Sequence, residues 1–445
     1  MFDEIDVYHR GVTQQEKKDY DLAIESFSKA IELNPKYTEA YFARGNVLEE
    51  KGLHEKAIES YNSVLDYAPN EPAVFYNRAV AYAKMGNKTQ ALADYDTAIM
   101  HDPDYSKAFF NRGQLRLRMG EDDAAVEDFA EAIRSNPQDP EPYVCRGLVL
   151  ADKGKYDEAI EDYDRAISVD IECAEAFGNR GNAHERLGNK GRAVENYNEV
   201  VRLTPDDSKA YFNRGLVYFN MGKFNESIAD YNEAIRLSPK EAKPRQSRGI
   251  VYAKKRQFDK AILDYKEAIR LEPKNVDARV CHGLALVSLK NLEEALEQYD
   301  EAISINPECS RAYYSRGVAN GLLGKNQQSI EDYSKVLELQ PSDANVYCHR
   351  GVVYTKSGNV KAAMNDYSKA IELRPDYGRA YYNRGLVYRI AGELDRAIAD
   401  LSEAIRLNPI HMLAYQNRSL AYEKKGDKAK AKADMKKIKQ LQLAR

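Results

Sequence analysis

Proline stands at Pro35, Pro69, Pro103, Pro137, Pro205, Pro239, Pro273, Pro307, Pro341, Pro375 and Pro409, on a beat of 34 residues that skips only at Ile171. A fixed period of this length is the signature of stacked helical units, because one unit cannot bury its apolar face alone. The beat runs without insertion through thirteen units, starting at residues 4, 38, 72, 106, 140, 174, 208, 242, 276, 310, 344, 378 and 412. It points to one solenoid over 4–445, although length alone would allow about three ordinary domains. Function then becomes a question about one long surface rather than one pocket.

Residues 38–71, TEAYFARGNVLEEKGLHEKAIESYNSVLDYAPNE, show the unit. Tyr41, Gly45 and Leu48 fall at i, i+4 and i+7 on a first helix, and Ala57, Ile58, Tyr61, Val64 and Leu65 make a stripe on a second. Gly52 breaks the chain between them and Pro69 closes the second helix. So short a turn makes the pair antiparallel, and Gly45 and Ala57 are expected to let the two backbones approach where they cross. The Gly45 slot is Gly except at Ala79 and Ser419, the Ala57 slot Ala except at Ser227 and Ser329, and the Tyr61 slot aromatic except at Leu401 and Met435.

Small, small and aromatic slots at this spacing, closed by proline, resemble the tetratricopeptide (TPR) repeat over essentially the whole chain. The family's usual Trp is absent; Tyr41, Phe75, Phe109, Tyr143, Phe177 and Tyr211 occupy its slot. The resemblance implies an all-α fold, a right-handed superhelical α-solenoid of antiparallel helix pairs, with first helices lining a concave groove that binds protein or peptide segments. In the thirteenth copy the Ile58 and Leu65 slots become Lys432 and Lys439. Burying two lysines is costly, so residues 412–445 are expected to double as a polar cap.

Sixty-six basic and 70 acidic residues leave a net charge of −4, so the whole molecule is no polyanion binder. No apolar run reaches the roughly 18 residues of a membrane span. The opening MFDEIDVYHR lacks the regions of a secretory signal, and a cytoplasmic location is expected. Five cysteines, Cys145, Cys173, Cys281, Cys309 and Cys348, argue against a disulfide framework. Cys281–His282 and Cys348–His349 are neighbours whose side chains diverge on a helix, and the seven histidines show no metal-ligand spacing. No enzyme, metal or cofactor is expected.

The candidate binding stripe lies on the other face of the first helices. It reads Lys107, Asn111, Gln114, Arg118 in the fourth copy and Asn179, Asn182, Arg186 in the sixth. Lys209, Asn213 and Asn220 follow in the seventh, with Asn77 and Lys84 before and Lys243 and Lys254 after. Between Ala73 and Lys254 the stripe holds seven cations (Lys84, Lys107, Arg118, Arg186, Lys209, Lys243, Lys254) against Glu141, Asp152 and Glu175, a net +4. That favours acidic protein segments as partners. Asparagine recurs in one slot at Asn77, Asn111, Asn179, Asn213, Asn383 and Asn417. This is similar to the asparagine ladder of O-linked GlcNAc transferase, where amides hold a peptide backbone. A carboxylate clamp of the chaperone-binding TPR type is matched at three of five positions, by Asn182, Asn213 and Lys243 or by Asn46, Asn77 and Lys107.

Other repeated charges read as structure. Arginine fills the Arg44 slot in every copy but the ninth, which has His282, and aspartate answers it in nine second helices, from Asp94 to Asp434. An exposed ion-pair ladder is expected, worth about 0–1 kcal/mol per rung. Copies eight and nine replace the Tyr41-slot aromatic by Arg245 and Arg279 and the turn glycine by Arg256 and Lys290, which suggests a weak joint. Residues 242–275 carry net +6 and residues 412–445 net +7. The principal reading is a protein-interaction scaffold. Its rival is a nucleic-acid-associated or self-assembling rod that uses those two basic segments; nucleic acid is the less expected partner.

Overall fold

The computed structural model describes residues 3–443. Among them are 26 α-helices, numbered α1 to α26, and no strand. They begin with α1 (Glu4–Glu16), α2 (Tyr20–Leu33), α3 (Thr38–Glu50) and α4 (His54–Tyr67) and close with α25 (Met412–Lys425) and α26 (Lys428–Leu443). First helices open at Glu4, Thr38, Pro72, Ser106, Pro140, Ala174, Ser208, Ala242, Val276, Ser310, Ala344, Gly378 and Met412, in step with the beat of the prolines. Contacts divide the chain into two compact units, Met1–Val217 and Tyr218–Arg445. Within each, a first helix packs on its own second helix, and second helices pack on the next first helix.

The turn inside each pair is a Schellman motif. The Leu53 amide donates to Leu48 and the Gly52 amide to Glu49, both at 2.8 Å, with Gly52 at φ +76°. The sequence suggested that Arg256 and Lys290 would disturb it. They adopt the same left-handed geometry, at φ 59° and 67°, as does Lys18 at 63° in the first repeat. Each accepts roughly 1–2 kcal/mol of backbone strain.

The glycine of the first helix serves the partner's ring rather than its backbone. A Cβ on Gly45 would lie 2.5 Å from Tyr61 Cε1, and one on Gly147 2.7 Å from Tyr163 Cε1. The missing methyl is the seat of the aromatic, which is why the two slots recur together. Tyr61, Tyr163, Tyr197, Tyr265, Tyr299 and Tyr367 are almost wholly buried there.

The arginine ladder is present, but it is not exposed. Arg78, Arg146, Arg248, Arg350, Arg384 and Arg418 reach Asp94, Asp162, Asp264, Asp366, Asp400 and Asp434 through paired hydrogen bonds of 2.5–2.9 Å. The carboxylates are buried; Asp128 is 2% exposed. Aromatic rings one turn back complete the seat, as with Arg78 over Phe75 at 5.4 Å. The earlier value for a surface pair therefore does not apply: the energetics are those of a largely desolvated, bidentate pair.

At the suggested weak joint, the two substituted arginines make contacts of their own. Arg245 donates to the Pro239 and Glu241 carbonyls at 2.7 and 3.2 Å, and Arg279 to the Pro273 carbonyl at 3.0 Å. These arginines tie down the preceding turn in place of aromatic packing. A cluster of twelve buried residues from Ala261 to Ala319 covers the same region.

Candidate interaction face

The stripe residues lie on one face of the first helices, and their environments differ. Lys84, Lys107, Arg118, Asn182, Arg186, Lys209, Asn220, Lys243 and Lys254 are exposed, whereas Asn77, Asn111, Gln114, Asn179 and Asn213 are half-buried. The half-buried slots lie at the edge of the helix crossing, where an amide is within reach of the preceding repeat.

That reach alters the asparagine ladder. Asn77 donates to Asn46 Oδ1 at 2.9 Å, Asn111 to the Tyr76 hydroxyl at 2.7 Å, and Asn417 to the Leu413 carbonyl at 2.8 Å. Asn46 Oδ1 also accepts from Tyr61, and Asn182 Oδ1 accepts from Tyr197 at 2.6 Å. Asn77 and Asn111 stitch one repeat to the preceding one, and both partial clamp matches have acceptors already in use. Asn179 is different: its Nδ2 is buried with no hydrogen-bond partner among the described residues.

In the unit 1–217, Asn179, Asn182, Arg186 and Asn213 are brought together in one cleft of about 850 Å³. It runs across α9 (Pro140–Asp152), α11 (Ala174–Arg186) and the middle of α13 (Ser208–Asn220), with Leu148, Tyr156 and Leu216 as apolar wall. Asp152 and Glu185 stand beside Arg186, so this stretch is not itself positive. Lys107, Gln114 and Arg118 lie outside it on α7 (Ser106–Leu117) and its C-cap. Lys84 is neutralised by an ion pair with Glu49, which lowers the charge read from the sequence. Lys107, Arg118, Arg186 and Lys209 carry no ion pair among the described residues.

In the unit 218–445 the same face forms two more clefts. Lys254, with Cys281 and Arg311, lines one of about 580 Å³. Arg311, Tyr314, His349 and Arg379 line another of about 480 Å³. Arg379 Nη1 is 3.2 Å from His349 Nε2, and the Tyr314 hydroxyl is 2.6 Å from Nδ1. A guanidinium only donates, so Nε2 accepts and Nδ1 carries the proton toward tyrosine. Burial, then the Arg379 charge, pushes this imidazole below its ordinary pKa, consistent with a neutral ring. Arg311, paired with Asp277, and Arg379 occupy the slot of Lys107 and Lys209 further along the chain. The signal was therefore in the sequence.

The sulfur chemistry is quiet. Burial raises the Cys145 thiol to about 11 and also raises Cys281 and Cys348. Thiols in that state are poor nucleophiles near neutral pH. No helix among the described residues is long and apolar enough to cross a membrane.

Tetratricopeptide repeat models match residues 208–241, 242–275 and 378–411, with related TPR models at 16–52, 50–86, 76–140, 146–208, 283–324, 322–358, 353–389 and 413–444. Solved structures similar to the chain include YrrB, "a TPR protein with an unusual peptide-binding site" (24% identity, 42% of this chain and 96% of that one, TM-score 0.37). The Cut9–Hcn1 assembly of the APC/C is 15% identical over 98% of this chain and 94% of that one, at a TM-score of 0.41. The C-terminal part of a TPR repeat-containing protein from Cytophaga hutchinsonii is 21% identical over 53% and 97%, at 0.47. No curated protein matches.

Proposed function

The chain belongs to the tetratricopeptide repeat family of protein-interaction scaffolds, and we propose that it holds an extended or helical partner segment along its first-helix face, with acidic segments preferred. The observation that carries this reading is the set of cations left without acidic partners there: Lys107, Arg118, Arg186, Lys209 and, in the second unit, Lys254. Other cations are paired, as in Lys51–Asp21, Lys153–Asp123 and the buried arginine ladder. A row of unpaired charge steers and orients a complementary partner more than it sets raw affinity. The cleft at Asn179 supplies apolar wall and one unpartnered amide donor, which suits a peptide backbone. The flanking cations, rather than this cleft, support acidic preference.

The rival nucleic-acid reading has less support. Of the basic residues in 242–275, Arg248 is tied to Asp264, Arg270 to Glu267 and Arg245 to backbone carbonyls. The test is photo-crosslinking from positions 182 and 209, compared with Glu195 on a second helix, followed by sequencing of the captured segments. Acidic segments caught at the first two positions support the proposal; capture equal or stronger at Glu195 refutes it.

A further inference from the structure

The ninth position of the first helices has a different chemistry in the two compact units. In the unit 1–217 it alternates from repeat to repeat between apolar side chains and the amides Asn46, Gln114 and Asn182. In the unit 218–445 it holds Ile250, Leu284, Val318, Val352, Leu386 and Leu420 in unbroken succession. The fold does not require this, because Asn46 and Asn182 fill the slot in regular helix pairs and bond the tyrosine beneath them. Leu284 and Leu420 are each 40% exposed, and the other four are half-buried. Leu322 and Ile390, one turn further along their helices, stand out in solvent as well. Apolar side chains aligned over several repeats mark an interaction surface.

Cations border this row on both sides. Lys243, Arg311 and Arg379 stand seven positions before it, and Lys254, Lys356 and Lys424 four positions after it. All six are exposed, and Asp277 is the one acid in these flanking slots of the six repeats. Lys254, Lys356 and Lys424 carry no ion pair among the described residues, and Arg379 donates to the neutral ring of His349. Ile250 and Leu284 line one cleft with Lys254, Asp277 and Arg311, so the row and its two borders form a single surface.

The spacing selects the occupant. The first helices that open at Ala242, Val276 and Ser310 pack on one another in turn. Packed helices lie about 8–10 Å apart, which sets the step of the row. An α-helix laid along it returns the same face every seven residues, about 10.5 Å. A β-strand returns a face every ~6.7 Å and falls out of step. At about 1.5 Å per residue, the cations stand about 10 Å to one side of the row and about 6 Å to the other. A helix is about 10–12 Å across, so acids on both its flanks reach both borders.

We propose that the unit 218–445 binds an amphipathic α-helix with large apolar residues at heptad spacing and acidic residues on both flanks. This rests on the acidic-segment reading above and narrows it, in this unit, to one conformation and one register.

The test titrates the full chain against labelled peptides, read by fluorescence anisotropy. The first peptide is a helix of about five heptads with a leucine seam and glutamate on both flanks, long enough to span the row. The second has the same composition with its leucines dispersed around the helix. The native chain should bind the seam peptide at least about tenfold more tightly than the dispersed one. Leu284→Asn/Leu420→Asn should erase that difference with unchanged circular dichroism, since both side chains are exposed and the slot already holds Asn46 and Asn182. Equal binding of the two acidic peptides to the native chain overturns this inference alone. A seam peptide with glutamine for glutamate that binds as tightly overturns the reading on which it rests. Tighter binding of an acidic proline-rich peptide with leucine at every third residue overturns the helical assignment. Self-association of the native chain that Leu284→Asn/Leu420→Asn abolishes would give the row to a second copy and overturn it too.

Discussion

Arg112 Nη2 meets Asp128 Oδ1 at 2.6 Å across one helix pair, with Asp128 also accepting from Arg116 Nη1 at 3.0 Å. The carboxylate is buried, and the guanidinium lies over Phe109 at 5.4 Å. Removing one partner of such a pair strands the other charge, which costs far more than losing a surface bridge. Asp128→Ala should destabilise its repeat by about 3 kcal/mol, near the low end for a broken buried pair because Arg112 keeps Asp96. Asn196→Ala, which removes neutral-amide hydrogen bonds with Arg180 and the Arg192 carbonyl and strands no carboxylate partner, should cost less, about 1–2 kcal/mol. Urea unfolding with hydrogen exchange resolved to each repeat checks the ordering.

Gly45→Ala should cost about 1–3 kcal/mol, because its Cβ would lie inside the Tyr61 ring contact. Shrinking the ring in the same molecule, with Tyr61→Leu, should give less loss than the two single changes summed. The last repeat already pairs a larger Ser419 with the non-aromatic Met435. A thermodynamic double-mutant cycle measures the coupling.

His282 replaces arginine on the ladder, and both its ring nitrogens are buried without a partner among the described residues. Burial lowers its pKa, as it does for His349 and His184. The unfolded chain therefore takes up protons that the folded chain refuses. The stability contributed by these neutral rings is present above about pH 6.5 and falls as pH drops through the depressed folded values. His282→Arg with Gln298→Asp should restore the rung, raise stability and flatten the acid slope, read from unfolding midpoints between pH 5 and pH 8. Unchanged slope would contradict the assignment.

Much of the fold was legible in the sequence because the period leaves little freedom. One copy's apolar stripes and its Gly52 turn give the pair, and recurrence gives the stack. What the sequence hid was how partner side chains meet. Gly45 read as a backbone crossing, whereas it seats the Tyr61 ring; the two are indistinguishable until the ring is placed. The arginine ladder read as exposed because the burial of Asp128 arises where its helix meets Arg112, Gly113 and Arg116 of the paired helix, which a charge pattern along one helix does not display. The asparagine slot read as a ligand ladder because Asn77 and Asn111 lie on the polar face, yet their amides reach Asn46 and Tyr76 in the preceding repeat. At Arg245 and Arg279 the sequence shows a lost aromatic but not the carbonyls these arginines reach.

The central claim is that unpaired cations on the first-helix face select an acidic partner segment. The most direct measurement is fluorescence anisotropy of labelled acidic and sequence-scrambled neutral peptides titrated with the full chain and with Lys107→Glu/Arg118→Glu/Lys209→Glu. The account predicts that the native chain binds the acidic peptide more tightly than the neutral one. The triple reversal should weaken acidic binding by at least about tenfold, roughly 1.4 kcal/mol. Equal affinity of native and reversed chains for the acidic peptide would contradict it.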